Sequence, residues 1–322
     1  MGEQRADVDE GEDERMLGNP VRTRETTAEG GAVPEGSQMG GKVPAAAGVV
    51  LAGGRSARMG TSKAALEWHG STLLRRVSGI LLRSVEGPVV VVRAPGQPLP
   101  PLPRGVELCD DAQEGLGPLQ GLAEGLRAVA DRAEVAFVAS TDLPFLHVAF
   151  VRAVLRALLD ADRVEMALPH VGGFPQPLAA AYRTDLAERI VRLLSGGKRA
   201  LAALAEHCAV TRLPDSALLA DPRLAALDPH LHSVVNVNRP RDYAAARSRP
   251  APEVAVGRAG DPARRLVRAA TLGHATEAAA VALAGHVALV GGDHLSRDPE
   301  LPLVPGDTVE LRRLTRPLRS GG

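Results

Sequence analysis

The sequence predicts an α/β protein: a doubly wound, mostly parallel sheet that takes up most of the chain, followed by a small α+β unit. Three observations lead to this expectation. Short apolar runs typical of buried parallel strands, at 48–51, 88–92 and 135–139, alternate with helical stretches such as 72–83 and 150–159. A polar, proline-bearing stretch, RSRPAPE at 247–253, then interrupts the alternation as a linker does. Beyond it come a strand-like EVAVGR, a helical ATEAAAVALA and a VPGD turn between strand-like segments, all within 70 residues.

Taken in order, residues 1–44 are rich in Glu, Gly, Arg and Asp and poor in large apolar groups. Such a composition does not offset the entropy of ordering, and a disordered tail is expected. The sheet domain is expected at 45–246, the linker at 247–252 and the C-terminal unit at 253–322. An apolar content of 45% is ample for buried cores, but only 2% is aromatic. The cores must therefore be built from Ala, Leu and Val, and stacking platforms for single-stranded nucleic acid are scarce.

Charge narrows the function classes. Lysine plus arginine equals aspartate plus glutamate at 38 each, so no overall field draws in nucleic acid or an anionic membrane, and any phosphate site must be local. Cys109 and Cys208 have no CxxC spacing, which argues against a disulfide framework or a structural zinc and fits a reducing cytoplasm. No stretch of 18 apolar residues runs uninterrupted, and the N-terminus lacks a signal-peptide core. The expectation is a soluble, cytoplasmic protein.

Ligands on doubly wound sheets bind at the carboxyl ends of the strands, so the loops after Leu51, Val92 and Ala139 are the places to look. The first reads LAGGRSARMG. Gly53 and Gly54 stand where a β-carbon would keep the backbone from a phosphate, and Arg55, Arg58 and Lys63 add positive charge. The spacing is neither the Rossmann GxGxxG nor the P-loop GxxxxGK[ST]. A glycine pair after a strand also serves plain tight turns. Two glycines, two arginines and a lysine within 11 residues favour the anion site.

LAGGRSARMGTSK closely resembles the signature LAGGxSxRMGxDK of the molybdenum cofactor guanylyltransferases, within the GT-A-like nucleotidyltransferases. The match lies in Leu51, Ala52, Gly53, Gly54, Ser56, Arg58, Met59, Gly60 and Lys63, and Ser62 stands where that family usually has aspartate. DDAQEGLGPLQG resembles the family's DxxxxxGPLxG, which puts Asp111 on the carboxylate implicated in holding guanine, with Gly117, Pro118, Leu119 and Gly121 as the turn into a helix. VAFVASTDLPFL resembles the strand and aspartate that place magnesium on Asp142, although an aspartate after a strand also caps helices. GGFPQPLAAAYRTDL carries the family's hPLxAxY core in Pro177, Leu178, Ala181 and Tyr182. SVVNVNRPRDY resembles FxNVNTPxDL, with Asn236 and Asn238 in place and Arg239 replacing threonine. Alternation on an extended segment sends both amides to one face.

The resemblance covers roughly residues 46–246. It implies transfer of GMP from GTP to the terminal phosphate of molybdenum-bound molybdopterin, with release of pyrophosphate and with Mg2+ as cofactor. Arg58, Lys63 and Asp142 are then catalytic. Leu51, Ala52, Gly53, Gly54, Lys63, Asp111, Asp142, Asn236 and Asn238 hold the nucleotide, and Asp142 holds the metal. Arg55 and Arg93 are secondary candidates for nucleotide contact. The alternative enzyme is a related cytidylyl or sugar nucleotidyltransferase, since such a loop senses mainly phosphates. His69, His147, His170, His207, His230 and His232 show no ligand spacing and are read as structural.

In the last unit, the segment from Pro302 to Leu311 and the terminal Gly321 and Gly322 resemble the β-grasp sulfur carriers, which include the small subunit of molybdopterin synthase. That resemblance implies an adenylating enzyme and the large subunit of molybdopterin synthase as partners. It also leaves open a carrier or docking protein that works through its diglycine end.

Overall fold

The computed structural model describes residues 41–43, 45–53, 62–111 and 117–314. The expected tail apart from 41–43, together with Gly321 and Gly322, lies outside the described residues. Val43 already belongs to the fold: it is buried, and its N–H donates to the carbonyl of Ser84 at 3.0 Å.

The chain runs β1 (Ala46–Leu51), a short hairpin of β2 (Glu67–Trp68) and β3 (Ser71–Thr72), α1 (Leu73–Ser84), β4 (Val89–Arg93), β5 (Val106–Asp110), α2 (Pro118–Val129), β6 (Val135–Ser140) and α3 (Val148–Leu159). It continues through β7 (Met166–Val171), β8 (Phe174–Pro175), β9 (Ala179–Arg183), α4 (Leu186–Ser195), α5 (Leu201–Ala205), β10 (Val210–Pro214), α6 (Asp215–Leu218), α7 (Pro222–Leu227) and α8 (Pro240–Arg247). Each expected strand and helix of this region appears within about two residues of its predicted place. Helix α1 begins after Thr72, whose hydroxyl accepts from the Arg75 N–H at 3.2 Å and so caps the first turn.

The strands of the large sheet lie in the order β10-β7-β9-β6-β1-β4-β5, with β8 paired to β7. The run β6-β1-β4-β5 is parallel throughout, and β10 pairs parallel with β7. Strand β9 runs against both of its neighbours, so the sheet is mixed but rich in parallel pairs. The physical reason is connection length. Only the short stretch around β8 separates β7 from β9, whereas a parallel crossover needs a dozen residues or more.

Both faces of the sheet are covered, as a doubly wound fold requires. Ala46 and Val50 of β1 pack toward α1 and α3 with Leu74, Val77, Ile80, Phe150 and Val154. The alternate residues Ala47, Val49 and Leu51 pack toward α2 and α4 with Leu122, Leu126 and Ile190. No helix among the described residues is long and apolar enough to cross a membrane.

The last unit comprises β11 (Glu253–Arg258), β12 (Arg265–Arg268), α9 (Leu272–Ala278), β13 (His286–Val290), β14 (His294–Ser296) and β15 (Thr308–Arg313). Its five strands form a separate sheet, ordered β12-β11-β15-β13-β14, with β11 and β15 parallel at the centre. The helix expected at 275–284 starts earlier and stops sooner. The Thr271 hydroxyl caps it by accepting from His274 N–H, and Ala280 takes a left-handed φ of 55° that turns the chain away.

This unit is seated on α1 and α3. Arg83 and Asp307 form a buried bidentate pair at 2.5 and 2.8 Å, Arg152 meets Asp293 at 2.6 Å, and Arg75 reaches Asp298 at 2.6 Å and Glu300 at 3.2 Å.

Candidate functional site

The carboxyl ends of β1, β4, β5 and β6 lie side by side, and Leu51, Ala52, Gly53, Asp111 and Asp142 lie at or just beyond them. Leu51 stands opposite Val92 on one side and Ser140 on the other. Ala52 continues the strand, donating its N–H to the Val92 carbonyl at 2.8 Å. Its own carbonyl accepts from the Gln97 side-chain amide at 3.1 Å, and Gln97 also receives the Ala94 N–H. Gln97 therefore fixes the start of the glycine loop, a role the sequence does not announce. A β-carbon on Gly53 would lie 3.4 Å from the Ala94 nitrogen, over the end of β4. Gly54, Arg55, Ser56, Arg58, Met59 and Gly60 lie outside the described residues.

Lys63 returns to the site on a 3-10 turn, Lys63–Ala65. Its Nζ donates to Asp142 Oδ2 at 2.9 Å and to Asn238 Oδ1 at 2.6 Å. Asn238 in turn donates to Asn236 Oδ1 at 3.2 Å, so the two amides share one face while Val237 between them is buried. Alternation along an extended segment predicts that arrangement. The backbone locks it: Val237 N–H donates to the Asp142 carbonyl at 2.9 Å. Four residues from three distant stretches, Lys63, Asp142, Asn236 and Asn238, thus form one polar cluster.

Ser140, the last residue of β6, donates its hydroxyl to Asp142 Oδ1 at 2.5 Å. The other carboxylate oxygen faces Lys63. Sequence reasoning passed over Ser140, although a hydroxyl two residues before a strand-end aspartate is the available signal. Ser62 sits at the cap position of the 3-10 turn and makes no side-chain capping bond there. Lys63 is held by Asp142 and Asn238.

Asp111 follows β5, and its N–H donates to the Arg93 carbonyl at 2.7 Å. Three strand spacings separate β5 from β6, roughly 14 Å at about 4.8 Å each. Asp111 and Asp142 therefore stand at opposite ends of the row, apart from each other. Arg93 gives its Nε to Asp110 at 2.6 Å and a terminal nitrogen to the Gln97 carbonyl at 3.0 Å. Gly117, with φ of 84°, makes the left-handed step into α2, and Pro118 supplies a fixed first helical position.

The segment containing Pro177, Leu178, Ala181 and Tyr182 runs beside β6, with Ala181 and Tyr182 fully buried. The Leu178 carbonyl accepts the Ser140 N–H at 3.1 Å, and the buried Tyr182 hydroxyl donates to the Pro177 carbonyl at 2.6 Å. Burial pushes the Tyr182 phenol well up from its ordinary range, so it stays neutral. Cys109, near Asp111, is likewise pushed up, first by burial and then by Glu124 and Asp110, and remains a thiol.

The described residues contain no group of three or more His, Cys, Asp or Glu placed to hold a metal ion. A magnesium ion does not need one. It binds through one or two carboxylates and completes its shell with water and substrate phosphates. Asp142, oriented by Ser140 and partly exposed, fits that requirement.

The sequence model described as the MobA-like NTP transferase domain matches residues 48–210. A Mycobacterium marinum protein named probable molybdenum cofactor guanylyltransferase is 45% identical over 185 residues, covering 56% of this chain and 90% of its own. A Mycobacterium tuberculosis protein of the same name is 43% identical over 180 residues, covering 55% and 85%. Among solved structures, molybdopterin-guanine dinucleotide biosynthesis protein A from Archaeoglobus fulgidus superposes with a TM-score of 0.50 at 22% identity, covering 62% of this chain and 96% of its own, a likeness of fold. The family match ends at residue 210, ahead of the five-stranded C-terminal sheet. The strand-end cluster, the fold and relatives at 45% identity agree that this chain belongs to the MobA-like NTP transferase family.

Proposed function

We propose that the chain is a molybdenum cofactor guanylyltransferase, which transfers GMP from GTP to the terminal phosphate of molybdenum-bound molybdopterin and releases pyrophosphate. The observation that carries this reading is the Lys63–Asp142–Asn238 cluster at the carboxyl ends of β1 and β6, in a chain 45% identical to a protein named for that activity. A nucleotide laid across the strand ends has its base near Asp111 and its phosphates between the glycine loop and Asp142. With Cys109 and Cys208 both free thiols, the reading assigns the reaction to the cytoplasm.

The chemistry requires neutralisation more than proton transfer. An oxygen of the acceptor phosphate forms a bond to the α-phosphorus of GTP. The bond from that phosphorus to the bridging oxygen breaks, and its electron pair leaves with pyrophosphate. A phosphate monoester, with a second pKa of roughly 6, is already largely ionised near neutral pH, so no general base is needed. Asp142 would hold a magnesium ion, which would supply charge compensation for the phosphate oxygens. Lys63, now paired with Asp142, is the cation placed to turn toward the triphosphate, and Asn238 holds it when it is not so engaged. Arg58 and the Gly53 and Gly54 backbone complete the cradle in this reading.

The test is to incubate the protein with magnesium, molybdopterin and each nucleoside triphosphate in turn and to measure pyrophosphate. GTP is expected to support release. A preference for CTP would sink the guanylyl assignment in favour of a cytidylyl transfer.

A second reading concerns the C-terminal unit, which we take to be a β-grasp domain at 253–322, joined by the linker at 247–252 to the transferase domain at 45–246. The parallel β11–β15 pair at the centre of a five-stranded sheet, with one helix between β12 and β13, supports it. After β15, Leu314 donates its N–H to the Gly285 carbonyl at 3.0 Å, at the end of the strand away from the turn at 301–307 that meets the transferase domain. The tail leading to Gly321 and Gly322 thus starts from the far end of the strand, which suits a sulfur carrier served by an adenylating enzyme and by the large subunit of molybdopterin synthase. Mass spectrometry after incubation with an adenylating enzyme, ATP and a sulfur donor tests it, and an unchanged mass at Gly322 rejects it.

A further inference from the structure

The turn at 301–307 touches the loop that carries Asp142. Along α1, a β-carbon on Gly79 would meet the Pro302 ring at 2.5 Å, so helix and turn pack in direct contact only because residue 79 is glycine. One turn earlier, the buried Arg76 points two ways. Its Nη1 donates to the Leu303 carbonyl at 3.3 Å, and its Nε donates to the carbonyl of Pro144, two residues past Asp142. His147 makes the second link. Its Nδ1 accepts the Ala149 N–H at 3.0 Å as the cap of α3, so the ring proton sits on Nε2, which donates to the Pro305 carbonyl at 3.0 Å. The next residue of the turn, Gly306, has φ of 76°, and a β-carbon there would lie 2.2 Å from Leu227.

That loop is also tied to the segment bearing Asn236 and Asn238. His147 N–H donates to Ser233 Oγ at 3.1 Å, Ser233 is held by the Asp228 carboxylate at 2.6 Å, and Val237 N–H donates to the Asp142 carbonyl. From these contacts we infer that the C-terminal unit is a structural part of the transferase site: through the positioning residues Arg76 and His147, its 301–307 turn fixes the loop bearing Asp142 and, through it, the Asn236–Asn238 segment. The unit is therefore no separable passenger. Only the kinetic arm of the test rests on the guanylyltransferase reading.

His147→Asn in the full chain is the discriminating variant. Asparagine is a strong helix cap, so α3 keeps its start, but its side chain is too short to reach Pro305. Hydrogen exchange is expected to speed up across 142–147 and 234–238, and kcat to fall roughly 10- to 100-fold, with KM for GTP nearly unchanged, as when reacting groups are slightly misplaced. His147→Gln, whose amide nitrogen reaches about as far as Nε2, is expected to restore most of the rate. Arg75→Gln, which loosens the same interface at Asp298 and Glu300 without touching the loop, is expected to leave kcat unchanged.

Unaltered exchange across both segments in His147→Asn overturns the inference, as does faster exchange with full kcat. A wild-type protein inactive with every triphosphate defeats the guanylyltransferase reading instead, and the exchange comparison still decides the contact.

Discussion

At the scale of single residues, the site depends on one carboxylate with two different neighbours. Ser140 holds one oxygen of Asp142, and Lys63 holds the other. Removing the carboxylate in Asp142→Ala is expected to abolish pyrophosphate release while circular dichroism and the melting temperature stay near wild type, because the side chain is partly exposed and closes no core. Retained activity would show that the metal site lies elsewhere. Ser140→Ala is a milder change. A hydrogen bond to a charged group contributes about 1.5 kcal/mol or more, so the magnesium concentration for half-maximal rate is expected to rise roughly tenfold. Initial rates over a magnesium series check it, and an unchanged requirement would mean that Ser140 does not orient the carboxylate in the working complex.

At the scale of elements, α1 joins the two units. Its sequence, LLRRVSGILLRS, reads plainly as an amphipathic helix, and that much was legible. Its second role was not. Arg75, Arg76 and Arg83 look like solvated basic residues in a chain of zero net charge, yet Arg76 and Arg83 are buried under the C-terminal unit. Burial, with Arg83 adding to it, brings the Arg76 guanidinium down to about 10, still charged at neutral pH. Nothing local in the sequence marks such a partner, because Asp307 is 224 positions away. The cluster was more legible, since Lys63, Asp142, Asn236 and Asn238 fall on the resembling motifs in order, whereas Gln97 and His147 act through backbone groups that no pattern displays.

Two substitutions probe α1. Asp307→Ala strips the buried Arg83 of its counter-charge, and a buried pair broken on one side costs about 3–5 kcal/mol. Gly79→Ala gains about 1 kcal/mol of helix propensity in isolation. The clash with Pro302 is expected to reverse that gain, so the variant should melt below wild type. Chemical denaturation of the full chain measures both, and a Gly79→Ala protein more stable than wild type would show that the turn yields without cost.

At the scale of the whole molecule, the boundary between the units buries His147 and His294, the latter among cations. His294 on β14 is pushed down to about 4, chiefly by burial and then by Lys42, Arg83 and Arg152, with Asp307 opposing. His147 is also lowered by burial, and its Nδ1 must stay unprotonated to cap α3. The unfolded chain takes up these protons near 6.5 and the folded chain resists them, so the unfolded state binds more protons over that interval. Stability is therefore complete above about pH 6.5 and is lost as the pH falls from there toward about 4. The melting temperature of the full chain is expected to drop between about pH 7 and about pH 5, a range in which unperturbed carboxylates are still mostly ionised. His294→Gln cannot take up the proton, so it should flatten that slope while leaving the boundary's ion pairs in place. A variant that follows the wild-type curve would show that His294 keeps an ordinary affinity for protons and that its burial does not set the acid limit of the fold.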